Sequence, residues 1–379
     1  MPRGSRKHLV GAIVLTAAIL VPGSVPSAGA ATSGEPAVPP ALNAVACTSD
    51  TNCTAVGMRV VGNYNRTLVK RWNGASWAVV PTPDPPGKVD AGLNDISCTS
   101  ATYCIAVGEY STKAWARTLV EYWNGSKWSI MASPNPPGQT FATLADVSCT
   151  AGAGCIAVGG YSTNAWSRTL IERLSGGRWS LVHSPNPPGQ TFAELAGVAC
   201  TTATTCVAVG DYSTKAWGRT LTERWSGGGW VIVASPNPVG QNFSALNEVA
   251  CPTATSCYAV GEVNARTLAE HFDGAHWTIQ TTPNPSGPRD VLVLGSVSCV
   301  SDTECMSVGG YIDSKSFVVA ALTQHWNGVK WSAVAPAPSP FALLVGVSCV
   351  SPTSCYAVGI QLSGVLQEHW DGAHWTVQS

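Results

Sequence analysis

Charge is scarce in this 379-residue sequence. Asp, Glu, Lys and Arg make up 11% of it, and 21 basic residues nearly cancel 22 acidic ones, leaving −1. Nucleic acid and anionic membrane surfaces both call for clustered Lys and Arg, so neither partner is expected. Beyond the first 30 residues no apolar run approaches the roughly 18 residues a spanning helix needs. A Gly-rich phosphate loop, calcium-loop spacing and a G-x-S-x-G element are absent too. Many long helices are not expected either, because 38 Gly and 26 Pro punctuate the chain too often. What remains is 45% hydrophobic, enough for a core. The composition is that of an all-β protein.

Residues 1–30 read as a secretory signal peptide. Arg3, Arg6, Lys7 and His8 form a basic start, Leu9 to Val21 is apolar, and Ala28-Gly29-Ala30 offers small residues for cleavage. The mature chain is then expected to begin at Ala31, exported and with no membrane attachment after cleavage. No Cys follows the apolar run to carry a lipid anchor.

The 14 cysteines fall as seven C-x5-C pairs: Cys47 with Cys53, Cys98 with Cys104, Cys149 with Cys155, Cys200 with Cys206, Cys251 with Cys257, Cys299 with Cys305 and Cys349 with Cys355. An exported chain with evenly paired cysteines reads as a disulfide framework. A zinc site would need further His or Cys ligands at regular spacing, and the repeats supply none. Neither a metal nor another cofactor is expected.

First cysteines of successive pairs stand 51, 51, 51, 51, 48 and 50 residues apart. One unit therefore recurs seven times over residues 41–379, behind a short linker at 31–40. A period near 50 points to propeller blades. Repeat four divides into strands at Leu195–Cys200, Cys206–Gly210, Arg219–Trp225 and Gly229–Ser235, so the fold class is a seven-bladed β-propeller with four antiparallel strands and one disulfide per blade. Each bridge spans the turn between strands one and two and contributes about 2 kcal/mol by loop entropy. The last turn reads Asn73-Gly74, Asn124-Gly125, Ser175-Gly176, Ser226-Gly227, Asp273-Gly274, Asn327-Gly328 and Asp371-Gly372. Read as two-residue type I′ turns, these pair Trp72 with Ala75 and Lys70 with Trp77. The first and last units keep the whole pattern, which favours a closed ring over a solenoid with polar caps. No strand exchange is visible, so closure is expected to rest on the face between blades one and seven.

Strands ending in Gly-Gly-Tyr (Ala157–Tyr161 and Ser307–Tyr311), followed by a Trp after the last turn (Trp77, Trp128, Trp179), resemble the kelch-type propellers that include the central domain of galactose oxidase. The likeness implies the propeller fold. The copper chemistry of galactose oxidase is not implied, because its motif is missing and every Cys is paired.

Twelve of 15 Trp occupy hairpin positions and are expected to fill the space between blades. The other three lie in near-identical loops between strands two and three of blades 2 to 4. Tyr110, Lys113 and Trp115, then Tyr161, Asn164 and Trp166, then Tyr212, Lys215 and Trp217 would present aromatic and polar groups on one rim. Such a rim suits a polysaccharide or an extracellular protein. Glu121, Glu172, Glu223, Glu270 and Glu368 recur on strand three, expected opposite a Trp and near Arg117, Arg168 or Arg219. His271 is expected to face His276, and His369 to face His374. No convergent acid–base pair or triad can be assigned. The function expected is therefore a secreted, monomeric, non-catalytic binding or scaffold protein. The alternative is an extracellular glycan-active hydrolase or lyase with catalytic residues around the channel. A purely structural module would instead bury the loop Trp.

Overall fold

A computed structural model describes residues 39–87, 90–112, 115–152, 154–163, 167–214, 217–286, 291–313 and 318–378. The segment expected to be a signal peptide and most of the expected linker lie outside these residues. The described residues form seven sheets, each of four consecutive antiparallel strands. Among them no helix is long and apolar enough to cross a membrane. The first strands of neighbouring blades pack against one another in sequence, and that of blade 1 also packs against that of blade 7. The chain is a closed seven-bladed propeller with strand one at the axis.

Blade 4 has strands Phe192–Thr202, Thr205–Ser213, Gly218–Trp225 and Trp230–Val233. The first two run longer than the apolar pattern suggests, because the ladder continues past both cysteines to a tight turn at 203–204. In every blade strand one also carries a bulge near its middle, as between Leu195 and Gly197. The glycine ending each A-V-G or S-V-G stretch packs against this irregularity. A Cβ on Gly57, Gly108, Gly159, Gly210, Gly261, Gly309 or Gly359 would collide with a strand-one carbonyl.

All seven C-x5-C pairs are disulfides, one per blade, and no cysteine is free. The two halves of each bridge differ in burial. The strand-one cysteines Cys47, Cys98, Cys149, Cys200, Cys251, Cys299 and Cys349 are half-buried. The strand-two cysteines Cys53, Cys104, Cys155, Cys206, Cys257, Cys305 and Cys355 are fully buried in the hydrophobic core. These seven therefore belong to the blade interior and to no surface that a ligand could reach. The spacing alone does not separate the two sets, because burial depends on the neighbouring blade that covers strand two.

The last hairpin departs from the expected register. Trp72 pairs with Trp77 and Lys70 with Val79, so the loop holds four residues. The reason is the Asn side chain. Asn73 Oδ1 accepts the amides of Ala75 and Ser76 at 2.9 Å each, and only Gly74 takes positive φ. An Asx-type turn has replaced the mirror-image turn where Asn or Asp leads the loop, whereas blade 3 turns on Gly176-Gly177, both at positive φ, one residue later than expected. The shift moves every residue behind it. Glu121, Glu172, Glu223, Glu270 and Glu368 face aliphatic residues (Ile130, Leu181, Ile232, Ile279, Val377) and no Trp. His271 and His369 face Thr278 and Thr376, so the expected His pairs do not form. Each of these two His packs on a Tyr of its own blade (Tyr258 or Tyr356) at 4.6 Å between centroids.

The hydrophobic core is divided among the blade interfaces, and each cluster joins two neighbours. Ile105, Val107 and Val120 of blade 2 meet Leu144, Val147 and Leu170 of blade 3. Leu42, Val45 and Leu68 of blade 1 meet Tyr356 and Val358 of blade 7. Closure therefore uses the same kind of face as every other seam. Eleven of the twelve hairpin Trp are buried, and Trp225 is half-buried.

The strand-three Glu carboxyls complete these seams. For three of them the partners are not the expected arginines but serines of the preceding connector: Ser133 donates to Glu172 at 2.9 Å, Ser184 to Glu223 at 3.0 Å and Ser235 to Glu270 at 2.8 Å, while Glu368 accepts the Ala337 amide at 3.2 Å. The Asn of the same S-P-N-P connector accepts the strand-three Thr amide, as Asn186 does from Thr169 at 3.3 Å. The motif thus stitches a connector to the blade on either side of it. Burial without a cation pushes Glu121, Glu172, Glu223 and Glu270 up to about 8 and Glu368 to about 7, and the charge of Asp84 adds to the rise at Glu121.

Between the ordinary value near 4.5 and the folded value near 8, the folded chain binds more protons than the unfolded chain. Stability from these groups is complete below the lower value and is lost as pH rises through the upper one. The Tm should therefore fall by more than about 5 °C between pH 5 and pH 9. Scanning calorimetry of the wild type beside a Glu172→Gln/Glu223→Gln variant checks this. The variant should show a flatter profile, and an equally steep one would contradict the assignment.

Candidate binding face

Loops between strands two and three and the connectors between blades emerge on one face. Thr112 shapes the blade 2 loop. Its amide and hydroxyl donate to the Trp115 carbonyl at 2.7 and 3.1 Å, and its hydroxyl accepts the Trp115 amide at 3.1 Å. Blade 4 repeats the turn, with the Thr214 amide 2.9 Å from the Trp217 carbonyl. The following residues anchor to the connectors: Ala116 donates to Thr140 and Gly218 to Asn242. The backbones of both Trp are thereby held at the rim, and each residue is 44% exposed. Arg219 lies over the Trp217 ring at 5.5 Å.

The three rim tyrosines are placed differently. Tyr110, Tyr161 and Tyr212 are half-buried, each packed on the core of its own blade interface. Lys113, Asn164, Trp166 and Lys215 lie outside the described residues. Several large apolar residues that sequence patterning did not single out share the face. Val239 is almost fully exposed, and Val61, Phe341 and Leu362 are exposed as well. Each sits alone in a turn or connector, without the repetition that drew attention to the loop Trp.

The channel holds a second constellation. Asp95, Asp146 and Glu248 on the first strands of blades 2, 3 and 5 bring carboxylate oxygens within 4.8 Å of one another. Gly197 of blade 4 makes this possible, because a Cβ there would strike Glu248. Such proximity could serve acid–base chemistry or a hard cation. Hydrogen bonds tie four of these oxygens to backbone amides. Asp95 accepts the Val147 amide at 3.1 Å, Asp146 accepts Val147 at 2.9 Å and Val198 at 2.5 Å, and Glu248 accepts Val249 at 3.0 Å. In blade 6 Ser296 performs the same task for Val347 at 3.3 Å. These are the amides released where the strand-one ladder breaks register. Bulge asparagines bridge likewise to the next blade, Asn43 to the Leu93 carbonyl and Asn247 to that of Leu294. The channel polarity is thus used to hold adjacent blades.

No protein-family model matches the chain, and no curated protein matches it. Solved structures do. YCF48 bound to D1 peptide matches at 12% identity and TM-score 0.51, over 88% of this chain and 93% of that one. The GH74 xyloglucanase from Xanthomonas campestris matches at 12% identity and TM-score 0.56, over 90% of this chain and 55% of that one. The RRP9 WD40 repeats match at 10% identity and TM-score 0.54, over 86% and 88%. At these identities the likeness shows the fold alone. It also corrects the kelch resemblance, since these neighbours are of YCF48, GH74 and WD40 type.

Removing one channel carboxylate should cost stability. Asp146→Ala strands the Val198 amide and leaves Val147 to Asp95 alone, and chemical denaturation should show a loss of about 2 kcal/mol. A neutral result would free this group for another role.

Proposed function

We propose that this chain is an exported, non-catalytic binding module whose loop face takes an extended peptide or a protein surface. The carrying observation is the 44% exposure of Trp115 and Trp217 on backbone turns held by hydrogen bonds. A structural module would bury them. Fixed aromatic anchors lose little entropy on binding, and they dominate the energy of interfaces. Val61, Val239, Phe341 and Leu362 extend the apolar character around the same face. Aliphatic groups suit a peptide better than a sugar, whose rings stack on aromatics. The assignment of the channel carboxylates to backbone amides argues against the glycosidase alternative. Among the structural neighbours, YCF48 is solved with a peptide bound. Seven disulfides fit an oxidising compartment, which agrees with the signal peptide read at residues 1–30.

One observation favours a second reading. Trp115, Trp166 and Trp217 occupy equivalent positions on three successive blades, and a glycan chain could stack on rings repeated in this way.

The mature chain should be screened against a displayed library of linear peptides and a panel of soluble polysaccharides that includes xyloglucan. Selected peptides should bind saturably, and a Trp115→Ala/Trp217→Ala variant with unchanged Tm should bind at least about tenfold more weakly. Binding indifferent to both substitutions would overturn the loop-face assignment. Saturable binding to a polysaccharide alone would replace the peptide by a glycan, and hydrolysis of one would restore the enzyme reading.

A further inference from the structure

Blade 3 departs from its six sisters at one corner, on the face opposite the binding loops. In the other blades strand three ends on an aromatic ring: Trp72, Trp123, Trp225, Phe272, Trp326 or Trp370. That ring packs on the hairpin Trp with centroids 5.3–6.0 Å apart. In four of these blades its indole N–H reaches a carbonyl of the cysteine turn. Trp72 donates to Asp50 at 3.0 Å, Trp123 to Ala101 at 3.2 Å, Trp326 to Asp302 at 3.0 Å and Trp370 to Pro352 at 3.2 Å. Blade 3 has Leu174 instead, and the equivalent carbonyl belongs to Gly152.

Two further changes enlarge the gap. The six sister turns each carry a Thr beside the hairpin glycine, as Thr102 lies beside Gly125. Blade 3 reads Ala-Gly-Ala-Gly over 151–154, and its hairpin turns on Gly176-Gly177, both at positive φ with open space beside them. Across the seam, position 122 is a Tyr, where blades 1 and 4 carry Arg71 and Arg224, each over the next blade's ring. Tyr122 packs with Tyr103 at 5.2 Å between centroids.

The result is a cavity of about 540 Å³, walled by Tyr103, Tyr122 and Met131 of blade 2 and by Gly152, Gly154 and Leu174 of blade 3. Its volume falls in the range of small-molecule sites. We infer that this cavity is a receptor for a planar aromatic ring bearing an N–H donor, an indole above all. The ring would lie beside Leu174, at the corner where the sister blades carry their own ring, against the tyrosines and with its N–H toward the Gly152 carbonyl. A tryptophan side chain of a partner and a free indole compound share this chemistry.

Saturation-transfer NMR on the mature chain tests it, with indole and N-acetyl-tryptophanamide as probes. Saturable binding is expected with a dissociation constant on the order of 1 mM. 1-Methylindole should bind more weakly. Leu174→Trp supplies a ring of the kind that the six sister blades already accommodate, so it should fold and abolish the signal. Trp115→Ala/Trp217→Ala should leave the signal unchanged, which separates this site from the loop face. If indole binds and the amide does not, the natural ligand is a free small molecule; equal binding points to a partner's side chain. Absence of saturation, or an undiminished signal in Leu174→Trp, would overturn the inference.

Discussion

Each blade hides its apolar faces only by pressing them against its neighbours. A four-stranded sheet alone exposes both faces, and here no cluster of buried residues belongs to one blade. The seam between consecutive blades is therefore the constraint from which the rest follows. It demands a ring, because a row would leave two faces uncovered. It also explains why blade 1 meets blade 7 without exchanging a strand. Tyr356 donates to the Asp50 carbonyl at 2.8 Å across the closing seam, and Tyr258 donates to that of Asp302 at 2.8 Å across an internal one. The same bond serves both.

Polar groups within the seams obey the same demand. Buried Glu carboxyls accept from connector serines near the outer strands, and Asp or Ser side chains accept released amides at the channel. The disulfides act within blades, holding the inner hairpin whose bulge those side chains satisfy. Both proposed sites lie where the seams leave room, at the loop face and at the corner where blade 3 lacks its ring.

Much of this was legible in the sequence, for reasons that can be named. Period and C-x5-C spacing report covalent and topological facts, so blade number, strand count and bridges followed directly. The turn at Asn73-Gly74 misled because the dipeptide suits two turn types, and the choice depends on whether the Asn side chain or its backbone closes the loop. From that choice came the misplaced partners of Glu121 and His271. Ser133 and Glu172 lie 39 residues apart in different blades, and no local pattern announces such a contact. The convergence of Asp95, Asp146 and Glu248 is equally invisible, since it needs the space left by Gly197 as well as ring closure. The exposure of Trp115 could be posed as a question by the repeat but only settled by the fold.

Native-state hydrogen exchange tests the closed ring most directly. If the closing seam equals the others, the strand-two amides of Ala55 and Val56 in blade 1 and of Ala357 and Val358 in blade 7 should be protected as strongly as those of Ala208 and Val209 in blade 4. All should be lost in one cooperative opening. Earlier exchange in blades 1 and 7, with blade 4 still protected, would contradict the account and make the structure an open array with weak ends.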